Sequence, residues 1–436
     1  MRRVINGTRH AFMKRQLAVI LRFIARLMLG RFAPGIVAVT GSVGKTSTKT
    51  AIATVLRSER RIRAAAGSHN NEFGVPLTII GDWNPRELAL VSKEASPRGR
   101  LFQKILFWSK VFLLGVARFL FLSRARYPEM LVLEYGADRP GDLKRLIEIA
   151  RPQISVVTAV GDVPVHVEFY DNPAAVAREK RRLVEILPMN GFAILNADDE
   201  AVLRMRETTR AHVLTFGFSE EAEVRVTNFE NRAERGTPAG VSFKLEYGGS
   251  FVPIRIDGCF GKGVAYASAA AAAVAIVFGI HLVRIAEALS FYEAPPHRQR
   301  LVPGIKGSFL IDDSYNASPL SMEAAIETMR ALPGNRKVGI LGDMLEIGKY
   351  TIEAHENIGK LAAKTFDVIV AIGPRAKFIA DSAIARGMAR KNVMTFETVD
   401  DARLKVADLI RKGDLVLIKA SRAIQLDKIV EELRQI

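Results

Sequence analysis

A single cysteine, Cys259, in 436 residues excludes an internal disulfide framework and suits a reducing cytoplasm. Acidic residues are missing from two whole stretches: none precedes Glu59, and none lies between Glu94 and Glu129. The first stretch carries Arg2, Arg3, Arg9, Lys14, Arg15, Arg22, Arg26 and Arg31; the second carries Arg98, Arg100, Lys104, Lys110, Arg118, Arg124 and Arg126. Together they nearly account for the net charge of +17. No stretch reaches the roughly 18 uninterrupted apolar residues of a membrane-spanning helix. The N-terminal segment also lacks the small-residue cleavage site of a signal peptide. Long internal repeats and low-complexity tracts are absent, which excludes solenoids and disordered arrays. A hydrophobic share of 49% with 25% charged residues describes a globular chain with cores for two or three domains.

Both basic stretches are also apolar. Residues 11–31 interleave Phe12, Leu17, Ile20, Leu21, Phe23, Ile24, Leu27 and Met28 with arginines at helical spacing, and residues 101–122 are richer still, with Phe102, Leu106, Trp108, Leu113 and Phe121. Basic amphipathic helices with aromatic residues suit a membrane interface beside anionic lipid. A packed helical hairpin and a partner-binding surface are the alternatives. Such charge would also attract nucleic acid, but no nucleic-acid-binding motif accompanies it, and none is expected as a partner.

The chemistry starts at Val37-Ala-Val-Thr-Gly-Ser-Val-Gly-Lys-Thr-Ser-Thr48. A β-branched run, Ile36 to Thr40, predicts a buried strand; Gly41, Ser42, Val43 and Gly44 predict a tight turn; Lys45, Thr46 and Ser47 open a helix. Glycines let backbone amides close round a phosphate, and the helix N-terminus adds its positive dipole end. Lys45 would reach the terminal phosphates of ATP, and the Thr46 hydroxyl would ligate Mg2+. The usual motif has a further glycine where this chain has Val39.

Downstream, polar residues including Asn70 and Asn71 crowd a loop between Gly67 and Gly74, which reads as a ligand-touching loop or a plain turn. Met130 to Glu134 predicts a buried strand ending in a carboxylate, a place where α/β sheets bind ligands and where Glu134 could hold Mg2+. Residues 154–159 predict another strand, followed by a loop with His166 and a helix from about Pro173 carrying Lys180. From about 213 to 257, alternation with turns predicts a small antiparallel sheet appended to a parallel one. Ala265 to Phe278 predicts a buried helix ending at Gly279. Beyond Glu293-Ala-Pro-Pro-His297, strands near 308–311, 337–341, 367–371 and 414–418 alternate with helices near 319–331, 354–364, 375–386 and 422–435. Two segments there place polar groups at strand ends: Asp312-Asp-Ser314-Tyr315-Asn316-Ala-Ser-Pro319 and Leu341-Gly-Asp-Met-Leu-Glu346. Either could be simple helix capping.

The expected fold is therefore α/β. Residues 1–33 form a basic amphipathic segment. Residues 34–294 form a P-loop ATP-binding central domain with the 85–126 insertion, and residues 295–436 a Rossmann-like C-terminal domain.

Taken in order, Thr40–Lys49, Asn70–Leu77, Glu134–Ala137, Asp312–Pro319 and Leu341–Glu346 resemble the Mur ligases, ATP-dependent amide-forming enzymes of peptidoglycan precursor synthesis. The resemblance runs from about residue 34 to the end, omitting 85–126. It implies transfer of the ATP γ-phosphoryl group to a carboxylate, then attack of an amine on the acyl phosphate. The implied activity adds D-alanyl-D-alanine to a muramoyl-peptide precursor in the cytoplasm, while the basic segments 1–31 and 98–126 suggest a peripheral place at the inner face of the cell membrane. The resemblance also implies Mg2+ positions at Thr46 and Glu134, a second Mg2+ ligand at His166 and a carbamylated lysine at Lys180. Arg298 and Asp312 match groups that reach ATP; Lys419, Ser421 and Arg422 match a segment near the substrate, as do Asn70, Asn71, Ser314, Tyr315 and Asn316. Besides the 85–126 insertion, the chain departs from the family in three places. A basic amphipathic segment, residues 1–33, stands where the family has a UDP-gripping domain, which allows a lipid-linked precursor. The loop before His166 is two residues longer. Gly263-Val-Ala-Tyr-Ala267 replaces the family's adenine-contacting segment. A folylpolyglutamate-synthase-like ligase shares the scaffold, and a non-catalytic membrane-associated P-loop scaffold or a nucleic-acid-binding ATPase are readings of other classes.

Overall fold

The computed structural model describes residues 2–90 and 101–435. Arg98 and Arg100, and the side chains of Arg2, Arg3, Arg9 and Phe12, lie outside the described residues. The first sheet has nine strands: β1 (Gly35–Thr40), β2 (Ile62–Ala64), β3 (Met130–Glu134), β4 (Ile154–Val157), β5 (Phe192–Asn196), β6 (His212–Gly217), β7 (Val224–Glu234), β8 (Thr237–Tyr247) and β9 (Ser250–Asp257). Their spatial order is β2-β3-β1-β4-β5-β6-β7-β8-β9. β1 pairs in parallel with β3 on one side and β4 on the other. Strand order reverses about β1, so its C-terminal end is the switch point where α/β sheets bind ligands. The register sets Val39 beside Glu134, which delivers the carboxylate to the phosphate loop.

The antiparallel strands are appended to the parallel sheet as expected, with one correction at the first of the alternating segments. β6 is parallel to β5 and β7, and only β7–β9 are antiparallel, continuing the same sheet. β9 alternates buried and exposed residues because one face lies on the core and the other meets water. The alanine-rich helix Lys262–Val277 packs against both the sheet and the phosphate-loop helix Lys45–Arg57. Ala269 to Ala275 are fully buried there; larger side chains would force the layers apart.

The second sheet contains β10 (Arg300–Pro303), β11 (Phe309–Asp312), β12 (Lys337–Gly342), β13 (Val368–Ile372), β14 (Val393–Phe396) and β15 (Leu415–Lys419), ordered β10-β11-β15-β12-β13-β14. It is parallel except for β10, an antiparallel edge. β10, β14 and the helix Val399–Leu409 add to the expected elements.

The N-terminal helix Arg2–Phe32 and the insertion helix Leu101–Phe121 pack on each other and on the helix Gly74–Ile80. Leu21, Ala25, Met28 and Phe32 are buried, a stripe at helical spacing, and full burial stabilises each large side chain by roughly 1.5–3 kcal/mol. Phe32 stacks on Tyr127 with ring centroids 4.3 Å apart. A packed helical pair therefore describes the buried faces of the two basic stretches. No described helix is long and apolar enough to cross a membrane.

Candidate functional site

The loop after β1 is shaped by its glycines. Gly44 has φ +84° and Gly41 φ +147°, and a side chain at Gly41 would collide with the Thr158 hydroxyl. Thr158 and Ala159, just beyond β4, fasten the loop: Thr158 Oγ1 donates to the Val43 carbonyl, and the Ser42 amide donates to the Ala159 carbonyl at 2.6 Å. Lys45 Nζ donates back to the Gly41 carbonyl at 2.6 Å. The Ser42 hydroxyl is buried and has no partner. An orphaned donor in a loop that opens a helix fits a phosphate oxygen.

Glu134 is the hub. Its carboxylate accepts from Thr46 Oγ1 at 2.9 Å, Ser68 Oγ at 2.8 Å and Asn70 Nδ2 at 3.1 Å, and lies 3.5 Å from Lys49 Nζ. Burial works to raise its pKa, but Lys49, Lys45 and Arg298 outweigh burial and hold the carboxyl below its usual range. Thr46 and Glu134 form a pair of hard oxygen donors, which suits Mg2+. Asn71 has a different job: its Oδ1 accepts from the Phe73 and Gly74 amides at the start of the helix Gly74–Ile80.

The second unit closes over this site. Arg298 donates to Thr46 Oγ1 at 2.8 Å, and its guanidinium lies 4.2 Å from the centre of the Tyr315 ring. Arg422 lies over the same ring at 5.6 Å. Asp312 accepts from Ser314 Oγ at 2.7 Å, and its other carboxylate oxygen lies 2.8 Å from His297 Nδ1. That contact raises the His297 pKa above its ordinary value. Lys419 pairs with Asp313 at 2.8 Å and donates to the Asn316 carbonyl, while Ser421 Oγ accepts from the Leu345 amide.

His166 has φ +70°. Its Nε2 is 3.3 Å from Asp138 and its Nδ1 is 2.5 Å from Glu346 of the second unit. The structure thus places His166 with Asp138 and Glu346, apart from the Thr46–Glu134 pair. Among the described residues, no three His, Cys, Asp or Glu side chains gather closely enough to hold a metal by themselves. Lys180 is 1% exposed. Burial, with help from nearby Lys45 and against the pull of Asp138 and Glu179, lowers its pKa to about 7. Sequence reasoning missed Lys49, Ser68, Asp138 and His297. Lys49 could have been found one turn beyond Lys45 on the same helix face, and Asp138 four residues after Glu134.

These features define a P-loop nucleotide-binding protein whose second α/β unit contributes an arginine to the phosphate loop. Comparison with known proteins gives the family. Residues 112–275 match the Mur ligase middle domain, and residues 297–422 match the Mur ligase glutamate ligase domain. Together these cover about two thirds of the chain. It belongs to the Mur ligase family.

The chain is 27% identical over 415 residues to the UDP-N-acetylmuramoyl-tripeptide--D-alanyl-D-alanine ligase of Bacillus subtilis, covering 95% of this chain and 79% of that one. It is 29% identical over 420 residues to the Mycobacterium tuberculosis ligase of that name, covering 91% and 72%. Among solved structures, the MurF ligase of Thermotoga maritima in complex with ADP superposes with a TM-score of 0.75 at 25% identity, over 95% of this chain and 83% of that one. A Mycobacterium tuberculosis folylpolyglutamate synthase shares the fold with a TM-score of 0.63 at 17% identity, covering 93% of both chains.

Proposed function

We propose that the chain is an ATP-dependent peptide ligase that joins D-alanyl-D-alanine to the terminal carboxylate of a muramoyl-tripeptide, as its curated relatives are named for doing. The observation that carries this reading is the Arg298–Thr46 contact, which builds one phosphate site from two units. Closing the second unit would exclude water from a phosphorylated intermediate that water would otherwise destroy.

A substrate carboxylate oxygen attacks the γ-phosphorus of ATP, and the bond from that phosphorus to the β–γ bridging oxygen breaks. The amine nitrogen then attacks the acyl carbon. Its C–O bond breaks, releasing phosphate that retains the carboxylate oxygen, and the amine loses a proton. Lys45, the loop amides and Arg298 oppose the negative charge on the transferring group. Thr46 and Glu134 would hold Mg2+, which supplies charge neutralisation on the phosphates when bound. Asp312 and Arg298 face the nucleotide, and Asn70, Ser314, Tyr315, Asn316, Lys419, Ser421 and Arg422 face the substrates.

Lys180 suits carbamylation because that reaction needs a neutral amine. The Nζ lone pair attacks CO2, a proton leaves, and the product is an anionic carbamate near Asp138. With His166, that anion would complete a second Mg2+ position. The muramoyl substrate is met at the inner face of the cell membrane, either UDP-linked or lipid-linked.

The test is isotope transfer. With 18O in the tripeptide carboxylate, one 18O per turnover appears in released phosphate if the acyl phosphate forms; phosphate without label overturns the mechanism.

A further inference from the structure

The helical layer formed by residues 2–32 and 101–121 leaves a second apolar face that the core does not use. On the N-terminal helix, Phe23 is 62% and Leu27 40% exposed; on the insertion helix, Phe102 is 77%, Leu106 61%, Leu113 72% and Leu120 53% exposed. Soluble surfaces rarely gather so many large apolar side chains on adjoining elements. The two stripes run alongside each other. Gly115 sits close against Ile24, where an added Cβ would lie 3.0 Å from the Ile24 Cγ2, and Arg31 reaches the Leu120 and Leu122 carbonyls.

The charge carried by the two helices themselves has one sign, and the acids beside them, Glu148 and Glu87, pair with Arg22 and Lys110. Neither helix contains an acidic residue, and Lys14, Arg15, Arg26, Arg124 and Arg126 are exposed at its margins. A protein partner would need its own apolar patch inside an acidic rim, whereas an anionic bilayer offers both as a continuous surface. No described helix is long and apolar enough to cross a membrane. An amphipathic helix of 21 residues covers about 31 Å along it.

Resting on the reading of the chain as an enzyme at the inner membrane face, we propose that this two-helix face is its docking surface for anionic lipid. The face is joined to the site through the helix Gly74–Ile80, which packs against both helices. Phe73, at the start of that helix, lies 6.5 Å from Trp108. The loop that carries Asn70 to Glu134 is therefore held directly behind the docked layer, which places the substrate side of the enzyme near the bilayer.

The experiment is flotation of the full chain with vesicles of phosphatidylcholine alone or mixed with phosphatidylglycerol. Wild type is expected to float with the anionic vesicles, about tenfold more than with neutral ones, and to be released by salt. Leu113→Glu with Val116→Glu, both exposed positions, should abolish flotation. Arg26→Glu with Arg124→Glu should remove only the preference for anionic lipid. Circular dichroism and ATP-dependent phosphate release report that the variants are folded. Flotation reads no chemistry, so a failed ligase assay leaves it intact. Absence of wild-type flotation, or unchanged flotation of the Leu113/Val116 variant, overturns the proposal. So does a wild-type dimer that this variant dissociates without any lipid binding, which would assign the face to a second copy of the chain.

Discussion

Lys180 offers a stability test that needs no substrate. Its ammonium is free in the unfolded chain, with the ordinary lysine value of 10.5, and is pushed to about 7 in the fold. A gap of one pH unit between the unfolded and folded values is worth about 1.4 kcal/mol, so burying this lysine costs up to roughly 4 kcal/mol at pH 7. Between pH 7 and 10.5 the unfolded chain binds more protons here than the native one, so this contribution makes stability rise with pH. Below pH 7 the penalty is fully present. Lys180→Met keeps an unbranched side chain of similar reach without the charge. In CO2-free buffer the variant should be ~2–4 kcal/mol more stable than wild type at pH 7 by denaturant unfolding, and the gap should close towards pH 10. Other groups titrate alike in both proteins, so the difference isolates Lys180. Wild type supplied with 13C-bicarbonate should show a carbamate carbon resonance that the variant lacks, and the variant should lose ligase activity. A gap that is absent at pH 7, or constant with pH, would refute the argument.

Three further outcomes follow from contacts in the site. Arg298→Ala removes a charge-assisted hydrogen bond of roughly 1.5–3 kcal/mol and should lower kcat/KM by about ten- to a hundredfold, read by steady-state kinetics. Glu134→Gln leaves Lys49 buried without its counter-charge and should cost about 3–5 kcal/mol in denaturant unfolding. His297 has φ +63° and a pKa raised by Asp312, so its stabilising contribution is full below about pH 6.5 and lost as pH rises through the native value. His297→Gly, unstrained at that φ, should therefore be less stable than wild type at pH 6, with the difference shrinking or reversing at pH 9.

Legibility followed chain distance. The phosphate loop could be read because its strand, glycines, lysine and threonine are contiguous. Glu134 could be placed because a buried strand ending in a carboxylate has few other uses. Lys180 gained meaning only through family resemblance, and His166 its metal role, since their shared neighbour Asp138 lies 42 and 28 residues away, respectively. The Asp312–His297 pair depends on a positive φ that the sequence does not announce. β6 was read as antiparallel because short alternation looks alike in either direction, and pairing with β5 settles the direction only in three dimensions. Val399, Ala402 and Val406 did carry a helical signal, whereas the half-exposed edge strand β14 had little pattern to detect. The basic stretches each served two purposes, one face buried and one exposed, and composition alone could not divide them.

The central claim is that one site joins a carboxylate to an amine at the expense of ATP. Its most direct test is phosphate release by the purified chain with ATP and Mg2+, given UDP-muramoyl-tripeptide or its lipid-linked form, with and without D-alanyl-D-alanine. Release that requires both substrates and vanishes in Lys45→Ala is the predicted result. Release no higher than the Lys45→Ala background with every combination would contradict it.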